Sequence, residues 1–238
     1  MDSQRCFEQM LKWSTNNELW QSFALQCLGV FHRERGELDR AEEMFQKSLA
    51  IEEKLDRQQD MAEQYGNLGV IYRERGELDR AEEMHQKALA LNEGIRHLND
   101  MASDYGNLGM IYLARGEWDR AEEMVRKALD IDEPLGRQQG MADQYGNLGR
   151  IYLARGELDR AEEMHRKSLA IEEKLDQQLG MARKFLDLGF VAQARGELER
   201  VRELWTKARD LYAKLEIPTK VKLVQEWLDE LPQGGGTK

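Results

Sequence analysis

Three asparagines stand forty residues apart, Asn67, Asn107 and Asn147, each inside the pentapeptide YGNLG. A primary amide carries both donors and an acceptor. The glycine before each one, Gly66, Gly106 and Gly146, has no side chain to keep another group away. Neither residue is a natural choice inside a helix, where a glycine costs about 1 kcal/mol relative to alanine. Three Gly-Asn pairs therefore ask for a reason. They serve either recognition of another chain or close helix packing with the amide bonded to a neighbour. Nothing else in the sequence has the makings of a reactive centre. His85 and His165 lie two periods apart, about 20 Å if packed helices lie ~10 Å from each other, too far to share a metal. Cys6 and Cys27 form neither a metal spacing nor a disulfide framework. There is no phosphate loop, dinucleotide fingerprint, nucleophile elbow or zinc-protease helix. The expectation is a chain that is not an enzyme and needs no metal or cofactor.

The elements that carry these amides repeat. GELDRAEEM occupies 36–44, 76–84 and 156–164, GEWDRAEEM 116–124, and a diverged GELERVREL 196–204. A fixed period of this length signals stacked units. In residues 61–100, Tyr65, Leu68 and Tyr72 recur at helical spacing, with Ala62 and Gly69 on the same side. This predicts one amphipathic helix that begins at Asp60, with Glu63 completing a capping box. Arg75–Gly76 ends it, glycine taking the left-handed position after the cap. Asp79 and Glu82 read as a second capping box opening a second helix, whose apolar stripe holds Ala81, Met84, Ala88, Leu89 and Leu91. Glu83 and Lys87 are a favourable pair four apart on its exposed side. The Glu-Glu pairs read as a solvated face and the recurring methionines, Met44, Met84, Met124 and Met164, as core filler.

Five such hairpins are expected, at 21–60, 61–100, 101–140, 141–180 and a diverged 181–220. The second and fourth share 25 of 40 residues. One hairpin cannot bury its own stripe, and about three must stack for stability. Residues 1–20, with Phe7, Met10 and Leu11 at helical spacing, read as a cap helix or half repeat. Residues 221–232, with Val221, Val224, Trp227, Leu228 and Leu231 on one face, read as a C-terminal cap helix behind Pro218, and 233–238 as a flexible tail. Trp20 and Trp227, near the ends, are expected to cover the core.

The net charge of −10 disfavours general nucleic-acid binding. No apolar run reaches the roughly 20 residues that span a bilayer, and the first residues lack the apolar core of a signal peptide. A reducing, cytoplasmic setting is the default reading.

Tyr65, Leu68–Gly69, Tyr72, Ala81 and Ala88 fall at the offsets of the tetratricopeptide repeat (TPR). The set recurs as Tyr105, Leu108, Gly109, Tyr112, Ala121, Ala128, and as Tyr145, Leu148, Gly149, Tyr152, Ala161 with Ser168 in the last place. The period of 40, in place of 34, resembles the long-helix subclass of Pins-type adaptors and kinesin light chains. Repeat five departs from the pattern, with Ala192, Asp187 and Leu186 at the tyrosine, asparagine and glycine positions. The resemblance implies an all-α, right-handed α-solenoid of tandem helix-turn-helix hairpins with a C-terminal capping helix. It also implies that the asparagine turn faces a concave groove, where Asn67, Asn107 and Asn147 would pair with an extended peptide and Gly66, Gly106 and Gly146 would let its backbone approach. The groove positions that vary, and would choose the ligand, are Val70, Met110 and Arg150; Arg33, Arg73, Leu113 and Leu153; and Asp187. Arg150 is expected near Asp143. The partner implied is a protein or peptide, with no nucleic acid and no membrane. The other readings are a self-assembling module that docks through its ends, and a regulatory segment of a larger signalling protein.

Overall fold

The computed structural model describes residues 9–12 and 17–232, and among them it is all-α. Residues 9–12 are helical; the rest of the N-terminal stretch expected to cap the stack, and the glycine-rich tail, lie outside the described residues. Eleven helices follow: α1 Glu18–Glu34, α2 Leu38–Lys54, α3 Gln58–Glu74, α4 Leu78–Ile95, α5 Leu98–Ala114, α6 Trp118–Asp132, α7 Gln138–Ala154, α8 Leu158–Lys174, α9 Gln178–Arg195, α10 Leu198–Lys214 and α11 Pro218–Glu230. They form two compact units, residues 1–117 with α1–α5 and residues 118–238 with α6–α11. Within each unit, consecutive helices pack as antiparallel neighbours. Successive first helices also touch, α3 with α5 and α7 with α9.

The GELDRAEEM turn works through its glycine. Gly36, Gly76, Gly116, Gly156 and Gly196 all have φ between 74° and 78°. After α3, the Gly76 N–H bonds to the Arg73 carbonyl at 3.0 Å and the Glu77 N–H to the Tyr72 carbonyl at 2.8 Å. This paired closure uses carbonyls that the helix end would otherwise leave open. The turns from one hairpin to the next repeat the closure with other residues at positive φ: Asp56, Arg96, Gly136, Asp176 and Glu216.

A second glycine fixes how the two helices of a hairpin meet. A Cβ on Gly69 would lie 2.6 Å from the His85 ring, one on Gly149 2.5 Å from His165, and one on Gly29 2.6 Å from Phe45. The ring of the second helix sits directly on the first helix's backbone. His85 and His165 are thus core side chains with no exposure. In the last hairpin the same place is taken by Trp205 against Gly189. There Trp205 and Trp227 pack 5.5 Å apart, each 5.4 Å from Phe190, and α11 closes the core with Val224, Leu228 and Leu231.

Three local expectations fail. The helices start earlier than Asp60 and Asp79, at Gln58 and Leu78, and neither N-cap residue, Arg57 or Glu77, makes a side-chain cap bond. The acidic residues of DRAEE bond to the next repeat. Arg115 Nη2 donates to Asp79 Oδ1 at 2.6 Å, Arg115 Nη1 pairs with Glu82, and the Tyr112 hydroxyl donates to Glu82 at 2.6 Å. The same set joins Asp39 and Glu42 to Arg75 and Tyr72, and Asp119 and Glu122 to Arg155 and Tyr152. Only the second glutamate of each pair is the exposed partner of a lysine four residues on, as in Glu83–Lys87 at 2.8 Å. Trp20 does not cover the core: it is 58% exposed, beside Leu19 and Phe23 at 47% and 49%.

Candidate functional site

Asn67, Asn107 and Asn147 all sit half-exposed on first helices, one turn before the buried Ile71, Ile111 and Ile151. The first unit holds Asn67 and Asn107, the second holds Asn147. Asn147 Nδ2 lies 3.3 Å from Gln144 Oε1, one turn back on its own helix. Of the glycines before them, Gly66 is open: a Cβ there would meet nothing nearer than Asp104 at 4.0 Å. Gly106 and Gly146 are buried. A Cβ on Gly146 would lie 2.5 Å from Lys184 Nζ, so this glycine makes room for a lysine of α9, the first helix of the next hairpin.

Val70, Met110, Leu113, Leu153, Arg33 and Arg73 are half-buried along the same helices, and Arg150 is exposed. In the first unit the face is acidic. Asp60 and Glu63 of α3 and Asp100 and Asp104 of α5 line it, and Gln26 of α1 donates to Glu63. Burial and then the neighbouring carboxylates, Asp60 first, push the Glu63 carboxyl above its ordinary range. Behind them, Asp104 holds two partners of α4: His85 Nδ1 at 3.2 Å and Asn92 Nδ2, which donates at 2.9 Å.

The second unit is different. A cavity of about 230 Å³ opens between α7 and α9, lined among others by Gln139, Asp143, Asn147 and Arg150 of α7 and by Arg183 and Lys184 of α9. Lys184 Nζ bonds to Asp187 Oδ2 at 2.9 Å, and Arg150 Nε stands 3.7 Å from the other oxygen of Asp187. Burial works against ionisation of Asp187, but Lys184 and Arg150 outweigh it and hold its carboxyl below the ordinary range. Arg150 therefore takes Asp187 as its ion-pair partner, while Asp143 shares the cavity with it. Asp187, in the asparagine's place, is tied to its own surroundings. Glu172 of α8, Lys184 and Gln139 were missed from sequence alone. The available signal was a break in pattern: Lys184 follows Gln64, Asp104 and Gln144 at one repeat position.

Among the described residues no group of three or more His, Cys, Asp and Glu is placed to hold a metal ion. Among the same residues no helix is long and apolar enough to cross a membrane.

Comparison with known proteins agrees with this architecture. In fold the chain is similar to BtubC (BKLC) from P. vanneervenii, at 23% identity and a TM-score of 0.72 over 89% of both chains. It is similar to the Rap conjugation gene regulator of plasmid pLS20, whose structure holds the Phr* peptide. That match has 17% identity and a TM-score of 0.82, and covers 95% of this chain and 63% of the regulator. The nearly identical TPR-like repeats of a kinesin light chain sequence from P. anserina match at 20% identity and a TM-score of 0.62, over 81% of this chain and 95% of theirs. No curated relative matches by sequence. Residues 2–133 match the model of the MalT-like TPR region and residues 100–174 that of the tetratricopeptide repeat. With the hairpins, their glycine turns and the ring-on-glycine packing in place, the chain belongs to the tetratricopeptide repeat family.

Proposed function

We propose that this chain is a non-catalytic interaction module that holds a partner peptide against its first helices. The observation that carries the reading is a division of labour along those helices. The residues that face the second helices barely change between repeats. Those on the half-exposed side change freely: Val70, Met110 and Arg150 at one position, Arg33, Arg73, Leu113 and Leu153 at another. A surface kept only for solubility has no need of a fixed amide in the middle of such a row. The asparagines give backbone pairing, and the variable residues give choice. The likeness to a regulator seen with a bound peptide supports the same use of the fold.

The test compares wild type with the triple variant Asn67→Ala, Asn107→Ala, Asn147→Ala in capture from a lysate, read by mass spectrometry, and in thermal melting. The expected result is loss of the captured protein with a melting temperature within a few degrees of wild type. Retention of the same protein by the triple variant would sink the role given to the amides.

A second reading, self-association through the N-terminal helix, is favoured by the exposed Leu19, Trp20 and Phe23 of α1. Its check is solution mass as a function of concentration, with Trp20→Glu as the variant that should stay monomeric.

A further inference from the structure

One buried carboxylate in the second unit lacks the cation that its counterparts have. The last turn of the second helix in each of the first four hairpins carries a buried polar side chain at one repeat position, Glu52, Asn92, Asp132 and Glu172. Glu52 stands 3.6 Å from Arg57, and Asp132 2.8 Å from Arg137, in each case five residues on. At the equivalent place Glu172 is followed by Gln177. Glu172 is 3% exposed. Its one hydrogen-bonded oxygen accepts only from the exposed amide of Gln139, at 3.2 Å, and its other oxygen has no partner. The carboxylate presses on the first turn of α9, where a methyl at Gly180 would collide with it. Helix N-termini favour an anion, which helps to explain how the charge is tolerated. It does not supply the missing counter-ion.

Glu172 lines the 230 Å³ cavity between α7 and α9. Around it the charges balance: Asp143, Glu172 and Asp187 against Arg150, Arg183 and Lys184. Asp187 is the partner of Lys184 and stands beside Arg150, which leaves Glu172, Asp143 and the rim residue Arg183 to face a ligand, with the Arg183 charge also acting on Asp143. Gly180 and Arg183 are three residues apart on α9, about 4.5 Å of rise, within the reach of an arginine side chain.

The geometry points to a subsite for the C-terminal basic residue of a peptide, with Glu172 as counter-ion of its guanidinium and Arg183 as partner of its terminal carboxylate. The incoming guanidinium displaces the Gln139 amide and takes the place that Arg57 and Arg137 fill for Glu52 and Asp132. A planar fork suits a carboxylate better than an ammonium does, so arginine is preferred to lysine. The subsite rests on the reading that peptides lie along the first helices.

The probe is N-acetyl-arginine, titrated into the full chain and followed by the amide resonances of Gly180 and Arg183. Saturable shifts are expected. N-acetyl-citrulline, which lacks the positive charge, and N-acetyl-argininamide, which lacks the negative one, should each bind at least tenfold more weakly. Glu172→Gln should weaken N-acetyl-arginine by a similar factor. Gln177→Arg, which restores the internal arginine of the first and third repeats, should do so in a chain that folds at least as well as wild type. No binding of N-acetyl-arginine, equal binding of either neutralised probe, or unchanged binding by Gln177→Arg would overturn the subsite. If the probe fails while the triple asparagine variant still loses its partner, the subsite alone falls. If the probe binds and the triple variant keeps its partner, the asparagine ladder falls instead.

Discussion

His165 shows what one residue contributes and what it costs. Its ring is fully buried on Gly149. Burial lowers its pKa from 6.5 to about 4, with Asp187, 3.8 Å away, opposing the shift only in part. The folded state therefore prefers the neutral ring more than the unfolded state does. Its contribution is complete above pH 6.5, the unfolded value. It fades as pH falls toward 4, by on the order of 3 kcal/mol. Denaturant titrations at several pH values should show this loss. His165→Phe, which copies Phe45 from the first repeat, should flatten it between pH 6.5 and 4. A slope unchanged by that substitution would place the acid sensitivity elsewhere. Further acidification should cost more. Glu122 and Glu162 sit against burial, but Tyr152 and Arg126, and Arg200 and Arg195 respectively, hold their carboxyls near 2. Their contribution is present above 4.5 and lost as pH falls toward 2.

Between elements, hairpins are joined by ion pairs and turned by strained residues. Arg155 bridges Asp119 and Glu122 of the preceding helix and is only 14% exposed. Arg155→Ala takes one of two close cations from Glu122, itself 16% exposed, with Arg126 remaining 2.8 Å away, and should destabilise the second unit by about 1 kcal/mol. Arg155→Lys cannot span both carboxylates with one fork and should recover only part of that. Chemical denaturation measures both. Turns between hairpins hold the opposite opportunity. Arg96 closes α4 at φ 58°, a region that costs an L-residue roughly 1 kcal/mol and glycine little. Gly136 already stands at the equivalent place. Arg96→Gly should therefore stabilise by up to roughly 0.5 kcal/mol, after the greater freedom of glycine in the unfolded chain is set against the relief of strain. A destabilised variant would show that the arginine side chain contributes more than its backbone strain costs.

On the scale of the whole chain, the last hairpin needs something to cover its apolar face. In the second unit α11 does this, laying Val224, Leu228 and Leu231 over Trp205 and Tyr212. Each buried aliphatic side chain is worth about 1.5–3 kcal/mol. A chain ending at residue 216 should therefore lose about 5 kcal/mol. Its tryptophan emission should move to longer wavelength as Trp205 meets water. An unchanged melting curve for the shortened chain would mean that α11 is not the cap it is taken for.

The sequence by itself determined the hairpin. It follows from local rules: helical spacing of Tyr65, Leu68 and Tyr72, and a glycine free to turn left at Gly76. The period and the apolar stripes required the hairpins to stack, and Trp227 with Val224 and Leu228 already marked the closing helix. Tertiary structure alone decided where the charged side chains go. Asp79 and Glu82 have the spacing of a capping box, yet their partner Arg115 lies 36 and 33 residues away. A capping rule compares neighbours three apart and cannot see a guanidinium brought in by the next hairpin. The cavity at Glu172 is hidden for the same reason. Gln177 in place of arginine, Gly180 against the carboxylate and Arg183 on the rim are unremarkable in order along the chain. They become one site only because α8 ends against the first turn of α9, and that contact is made by packing rather than by any local preference.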